Sequence, residues 1–504
     1  MKQKLLSNAE VLAIILMGLI ALIIGGWSVV VLVILAGALV GTSAPQNMAG
    51  MRRAVLVGAI VSGAVVLFTF ARNTFLATLP KVDAIPAAAN TPLVYLGAIA
   101  LGTFTAVLIA FLRAQPNENL RRYGLLAFVV ICAVAFPFFE RESKLLWANA
   151  VVVALIFTVQ ALGLNIVAGY AGLLDLGYVA FFAIGGYSVA LLASPQFNLH
   201  VSFWLVIWVA AAVAAISGFI LGAPTLRLRG DYLAIVTLGF GEIVPIVFKN
   251  LERVQIYEPI TSFIAWLTSN PAVKVCLVGC EKALNITNGT QGINPIDRPW
   301  FPGVGFFQTG QYIPWYFLIL SILAISAFFI SRLRESRIGR AWVAMREDEL
   351  AASSMGIDIV RTKLTAFTLG AMFSGFAGAF YGSYVSFISP DAFEFSVSVI
   401  VLSMVILGGT GSIVGVILGG LIIKIVDLLL LEKLQLFIGG VLEATIFQGI
   451  QSQGLENFLS SLLDVSQYKL LFFGLILVVM MLVRPQGLVP ESMVKSKGKG
   501  VTGG

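Results

Sequence analysis

The chain has 504 residues, 59% of them hydrophobic and 11% charged. A soluble globular domain carries roughly a quarter charged residues, so this composition excludes one and points to an all-α polytopic membrane protein whose 50 glycines serve close helix packing. The formal net charge of +7 sits largely in short loops and the tail, which reads as positive-inside topology and not as nucleic-acid binding, and one His with three Cys argues against a metal or redox centre.

Residues 11–40 form a long apolar run interrupted by Gly25 and Gly26. One tilted span or a tight hairpin both fit. Lys2 and Lys4 hold one end inside, and Arg52 and Arg53 hold the other inside too, which favours the hairpin. Spans follow at 54–70, 92–112 and 121–139, with Pro80, Pro86 and Pro92 in an outside loop. Residues 1–144 read as an accessory transmembrane region, and 145–490 as the main body.

The run 145–168 leads inward to GYAGLLDLG (169–177), where Gly169, Gly172 and Gly177 surround Asp175. Glycines this dense break a helix or let backbones meet closely. Asp175 reads as a helix cap or gate element near the inner face. The run 178–193 goes out, and 202–222 returns to Arg227 and Arg229 on the inside. The span 232–248 carries Glu242 and Pro245. A charge at that depth is costly and faces the bundle interior or water. Residues 249–312 form an outside loop. Its Cys276 and Cys280, four apart, are either bridged or two free thiols.

The span 313–331 enters the most charged stretch, 332–363, with seven Lys/Arg and five Asp/Glu. Such a run belongs in water, and its basic excess places that water on the cytoplasmic side. A helix of about two to three turns is expected there. Glu347, Asp348 and Glu349 suit its first turn, and Leu350, Ala351 and Ala352 are good helix formers. Gly356, after Met355, can stop it in the left-handed conformation. Asp358 can then cap the next helix, from Ile359. The stretch is either a solvated connector or a docking knob for a cytoplasmic partner.

After the span 363–383, parity constrains the chain. Lys495, Lys497 and Lys499 put the tail, 491–504, inside. The span 469–483 then starts outside, so the run 396–431 must begin and end outside. A V-shaped pair of half-helices meeting at GGTGS (408–412) satisfies this, and 397–407 makes about 16 Å of helix, roughly half the bilayer core. Non-helical backbone at that depth is buried in protein or lines a cavity. Gly408, Gly409 and Gly411 are therefore candidates for a translocation path, with a tight helix crossing as the other reading. Two stripes of small residues, Ala371/Gly375/Ala379/Ser383 and Gly411/Gly415/Gly419, suit helix packing, within this chain or against a second subunit.

No catalytic residues are assigned. The chain lacks a GxxxxGK[ST] phosphate loop. Its lone His200 sits beside a helix end at the presumed outer surface and reads as an interface residue. Any energy source is another subunit or an ion gradient.

The segment GRAWVAMREDELAASSMGID (339–358) resembles the EAA-type coupling loop of ABC importer permeases, in the version of LivM-type branched-chain amino acid importers. The same resemblance runs through LGLNIVAGYAGLLDLGYVAFFAIGGYS, TLRLRGDYLAIVTLGFGEIV, VLSMVILGGTGSIVGVILGG and RPQGLVP, in family order. It implies an ABC importer permease fold with Gly-broken or re-entrant helices, in the bacterial cytoplasmic (inner) membrane and in contact with lipid. It implies a second homologous permease, two cytoplasmic ATPases that bind ATP and Mg, and an extracytoplasmic amino-acid-binding protein. No cofactor would sit in this chain. Arg346 to Ala352, Met355 and Gly356 would receive the ATPase, and motion would reach Gly169, Gly172, Asp175, Gly177, Gly408, Gly409 and Gly411. Glu242 would be either a pore-facing carboxylate that meets the substrate ammonium or a carboxyl hydrogen-bonded between helices. The competing readings are an ion-gradient-driven secondary amino acid transporter, which shares the broken helices but not the EAA-like loop, and a membrane enzyme, for which no constellation exists.

Overall fold

A computed structural model describes residues 28–43, 48–76, 92–143, 147–225, 231–257, 276–278, 283–308, 310–432, 434–435 and 468–489, with Met17 and Ile20. Among these residues ten helices are long and apolar enough to cross a membrane. Hydrocarbon offers backbone amides and carbonyls no partners, so a spanning segment satisfies them internally as a helix. The chain divides into two compact units, Met1–Ala150 with Ile425–Lys469, and Val151–Lys424 with Leu470–Gly504.

The first unit holds α1 (Ser28–Ser43), α2 (Met48–Leu76), α3 (Pro92–Ala114) and α4 (Glu118–Ser143). Val33, Ala36, Ala54, Val61, Val65 and Ala106 are among its fully enclosed side chains. Small residues bring α1 onto α3: a Cβ at Gly37 would lie 2.2 Å from the Gly102 carbonyl oxygen. Helix α4 instead presents Leu126, Val129, Val130, Ile131 and Val134 outward, as a lipid-facing helix does. Cys132 in the same helix is a free thiol. The expected spans 54–70, 92–112 and 121–139 fall inside α2, α3 and α4. The choice between hairpin and single span for 11–40 lies outside the described residues, although its second half continues as helix to Ser43.

The second unit begins in α5 (Trp147–Leu164), which opens into a π turn, Asn165–Tyr170. Then come α6 (Val179–Leu192), α7 (Phe203–Thr225), α8 (Asp231–Asn250), α9 (Tyr312–Glu335), α10 (Arg337–Glu347), α11 (Glu349–Ser354), α12 (Ile359–Val385), α13 (Phe395–Gly408), α14 (Ile413–Ile425) and α15 (Lys469–Val483). Helix α12 is the hub. A Cβ at Gly375 would lie 2.5 Å from the Ala214 Cβ on α7, and one at Gly378 would lie 2.1 Å from the Phe182 carbonyl oxygen on α6. The small-residue stripe on α12 is thus spent on neighbours in its own chain and is not left for a second subunit. The same holds for Gly415 and Gly419 on α14, which meet Gly408 and the Met404 carbonyl on α13. Tyr178 Oη donates to the Gly370 carbonyl at 2.7 Å, tying the start of α6 to the middle of α12.

One end of this unit gathers its longer connections. Ile293 pairs with Ile388, Ser386 Oγ donates to the Ile296 carbonyl at 2.8 Å, and Asp297 N donates to the Ala193 carbonyl at 2.7 Å. His200 belongs here, with Nδ1 2.7 Å from Asp297 Oδ2. Cys280 and the side chain of Cys276 lie outside the described residues, so both readings of that pair stay open.

Candidate functional site

The opposite end of the second unit carries the charged stretch. Ser336 caps α10, its hydroxyl accepting from Gly339 N at 3.3 Å. Asp348 then leaves the helical region at φ −155° and caps α11, its carboxylate accepting from Leu350 N at 2.9 Å and Ala351 N at 3.0 Å. Gly356 sits at φ +83°, where an L side chain is strained. Asp358 caps α12 by accepting from Arg361 N at 3.1 Å. The expected stop at Gly356 and cap at Asp358 are in place, whereas the caps Ser336 and Asp348 were not expected, and the helix before Gly356 differs. It covers six residues, Glu349–Ser354, and not two to three turns, because Asp348 caps one helix where a continuous one was expected. Glu347 ends α10 and does not open α11. Helix α10 went unforeseen, although Gly339, Trp342 and Met345, its buried residues, recur every three positions as one face of a helix does.

Both helices are docked. Trp342 is fully buried and donates from Nε1 to the Thr362 carbonyl at 2.9 Å. Glu349 Oε1 lies 2.6 Å from Lys363 Nζ, which ties α11 to the first turns of α12. Ala352 is buried beneath. Leu350 and Met355 project outward, 68% and 84% exposed.

A chain of contacts leads inward. Arg346 Nη1 donates to the Gly169 carbonyl, and the Arg346 stem lies against Gly172, which has φ +70° and where a Cβ would be 2.8 Å from Arg346 Cγ. One turn back in the π segment, Asn165 Oδ1 accepts from Gly411 N at 2.8 Å. Gly169 sits between, since a Cβ there would lie 2.7 Å from Gly411 N. On the other side of the break the C-terminal segment closes in: Leu488 N donates to the Leu407 carbonyl at 2.9 Å and Val489 N to that of Gly408 at 3.1 Å. These two amides occupy carbonyls that the end of α13 leaves unsatisfied. Gly409, at φ +115°, meets Gly487 so closely that a Cβ on Gly487 would lie 2.3 Å from Gly409 Cα.

The helix break at 409–412 is therefore present, but its place differs from a mid-depth vertex. It lies at the end that carries Arg346 and the C-terminal segment. Helix α13 runs 14 residues, about 21 Å at 1.5 Å per residue. With the preceding turn, Pro390–Gly408 is long and apolar enough to cross. Polar residues do not shorten it, because Ser403 Oγ donates back to the Val399 carbonyl at 2.7 Å. Gly408, Gly409 and Gly411 are buried against neighbouring backbone.

Asp175 is buried in the non-helical passage 171–178, and its Oδ1 accepts from Gly177 N at 2.9 Å just ahead of α6. Thr237 Oγ1 on α8 accepts from Leu176 N at 3.1 Å. Gly177 allows that approach, since a Cβ there would lie 1.9 Å from the Thr237 carbonyl. Glu242, also on α8, is exposed on the surface of the chain. Its carboxylate has no partner among the described residues, so it is not held between helices of this unit. The structure thus joins Arg346 with Gly169, Gly172 and the 408–411 glycines, and leaves Glu242 apart. Asn165 and the 484–489 segment were not foreseen as parts of this cluster.

Residues 146–481 match the family described as the branched-chain amino acid transport system permease component. The chain belongs to this family. The permease is 34% identical over 408 residues to the high-affinity branched-chain amino acid transport system permease protein LivM of Escherichia coli strain K12, covering 77% of this chain and 80% of that protein. It is 37% identical over 388 residues to LivM of Salmonella typhimurium, with the same shares. The LivH permease protein of Salmonella typhimurium is 26% identical over 290 residues, covering 56% of this chain and 83% of LivH. No solved structure matches. The permease is a multi-pass membrane protein and a transport component, and the family match begins at residue 146, one residue before α5.

Proposed function

We propose that this permease is the transmembrane subunit of an ATP-driven importer for Leu, Ile and Val in the bacterial cytoplasmic membrane. A LivH-like second permease, two cytoplasmic ATPases and an extracytoplasmic binding protein complete the importer. ATP and Mg bind in the ATPases. The observation that carries this reading is the docked pair α10–α11, which presents Leu350 and Met355 outward while Arg346 reaches inward to Gly169.

In this mechanism an ATPase grips Leu350 and Met355. Closure of the ATPases moves α11 and α10 together, because Asp348 joins them and Lys363 and Trp342 hold them to α12. Arg346 passes the motion to the broken segments at 169–177 and 408–412. The binding protein delivers the amino acid at the end built from 193–202, 285–306 and 386–394. A gradient-driven carrier has no use for a projecting helix held this way, so the secondary-transport reading is not favoured.

The test is reconstitution of the permease with its partner subunits in proteoliposomes, followed by uptake of radiolabelled leucine. Uptake that requires ATP and ignores an uncoupler supports the reading. Uptake by the permease alone that an uncoupler abolishes overturns it.

A further inference from the structure

The contact that joins the two broken segments runs through one side chain. Asn165 opens the π turn 165–170, and its Oδ1 accepts from Gly411 N at 2.8 Å across 246 residues of sequence. Its own turn contains Gly169, whose carbonyl receives Arg346. Asn165 is fully buried, and its Nδ2 has no hydrogen-bond partner among the described residues. A buried amide with half its hydrogen-bonding capacity unused is costly and calls for a reason. Single π turns inside helices concentrate at functional sites, since a one-residue shift of hydrogen bonds resets them to α.

We propose that Asn165 is the positioning residue that carries movement of α10 to the 409–412 break. In the present arrangement its oxygen holds the Gly411 amide while its nitrogen is unpaired. When Arg346 draws on Gly169, the π turn shifts, the Gly411 amide is released, and the Asn165 amide group turns to satisfy its nitrogen. Gly411, at φ +83°, is backbone that this release frees to change. Gly409 stays anchored by the C-terminal segment, so the break bends on the Gly411 side. Asn165 touches no transported molecule in this scheme. It acts through Gly411.

The inference rests on the importer reading, and the test separates the two. The complete importer is reconstituted with Asn165 intact, with Asn165→Leu and with Asn165→Asp, and leucine uptake and ATP hydrolysis are measured on the same vesicles. Leucine has nearly the size of asparagine but no acceptor, whereas aspartate keeps an oxygen where the Gly411 amide needs one. The expected result is that Asn165→Leu lowers leucine imported per ATP hydrolysed about fivefold or more, the worth of one lost buried hydrogen bond, and that Asn165→Asp restores most of it. The ratio is read on assembled complexes only, so poor assembly does not mimic the effect. Two results overturn the inference: an unchanged ratio in Asn165→Leu, or equal loss in both variants. If the importer with Asn165 intact shows no ATP-dependent leucine uptake, the importer reading has failed instead.

Discussion

Lys363 Nζ lies 2.6 Å from Glu349 Oε1, with the lysine side chain 5% exposed and the glutamate 35%. The most acidic corner of the charged loop is thus partly a structural tie. Glu349 compensates a buried ammonium at the head of α12, and removing one partner of such a pair leaves the other charge stranded. Charge reversal, Glu349→Lys, should destabilise the permease by about 3 kcal/mol. The midpoint of thermal denaturation in detergent would fall, and uptake would fall in step with folded protein. Normal stability with lost uptake would show that Glu349 acts on a partner directly.

Leu350 and Met355 carry the contrasting expectation. Their side chains are strongly exposed, and only their backbone amides enter the capping bonds that shape α11. Leu350→Asp and Met355→Asp should leave stability within about 0.5 kcal/mol, as surface substitutions do. Both should sharply reduce recovery of the ATPases with tagged permease, because a carboxylate would be buried without a partner at the docking surface. Full recovery of ATPases, with normal uptake, would remove this surface from the mechanism.

Glu242 stands on the outward face of α8 among exposed Ile235, Ile243 and Ile246. An unpaired carboxylate in such apolar company needs water or a second subunit. Glu242→Gln should leave assembly unchanged and lower leucine uptake severalfold, with ATP hydrolysis retained. Uptake equal to that of the unaltered importer would assign the residue to a face that transport does not use.

Much of this architecture could be read along the chain. Apolar runs delimit spans because hydrocarbon rejects charge over any short window. Gly356 and Asp358 mark helix ends because capping is settled within a few residues, whereas Asp348, expected in a first turn, caps the helix instead. The glycine-dense passages at 169–177 and 408–412 announce broken helices for the same local reason. Even the C-terminal segment was visible as a motif, RPQGLVP, although its partner was not.

What could not be read were relations between distant segments. Arg346 meets Gly169 across 177 residues, and Asn165 meets Gly411 across 246; neither residue type declares a partner by its neighbours. Small-residue stripes advertise close approach but not whose backbone arrives, and packing brought α6, α7 and α13 to them. The break at 409–412 lies at the end that carries Arg346, where the C-terminal segment supplies amides to α13. Local chemistry specifies where helices start and stop, whereas burial of the whole unit selects which surfaces meet.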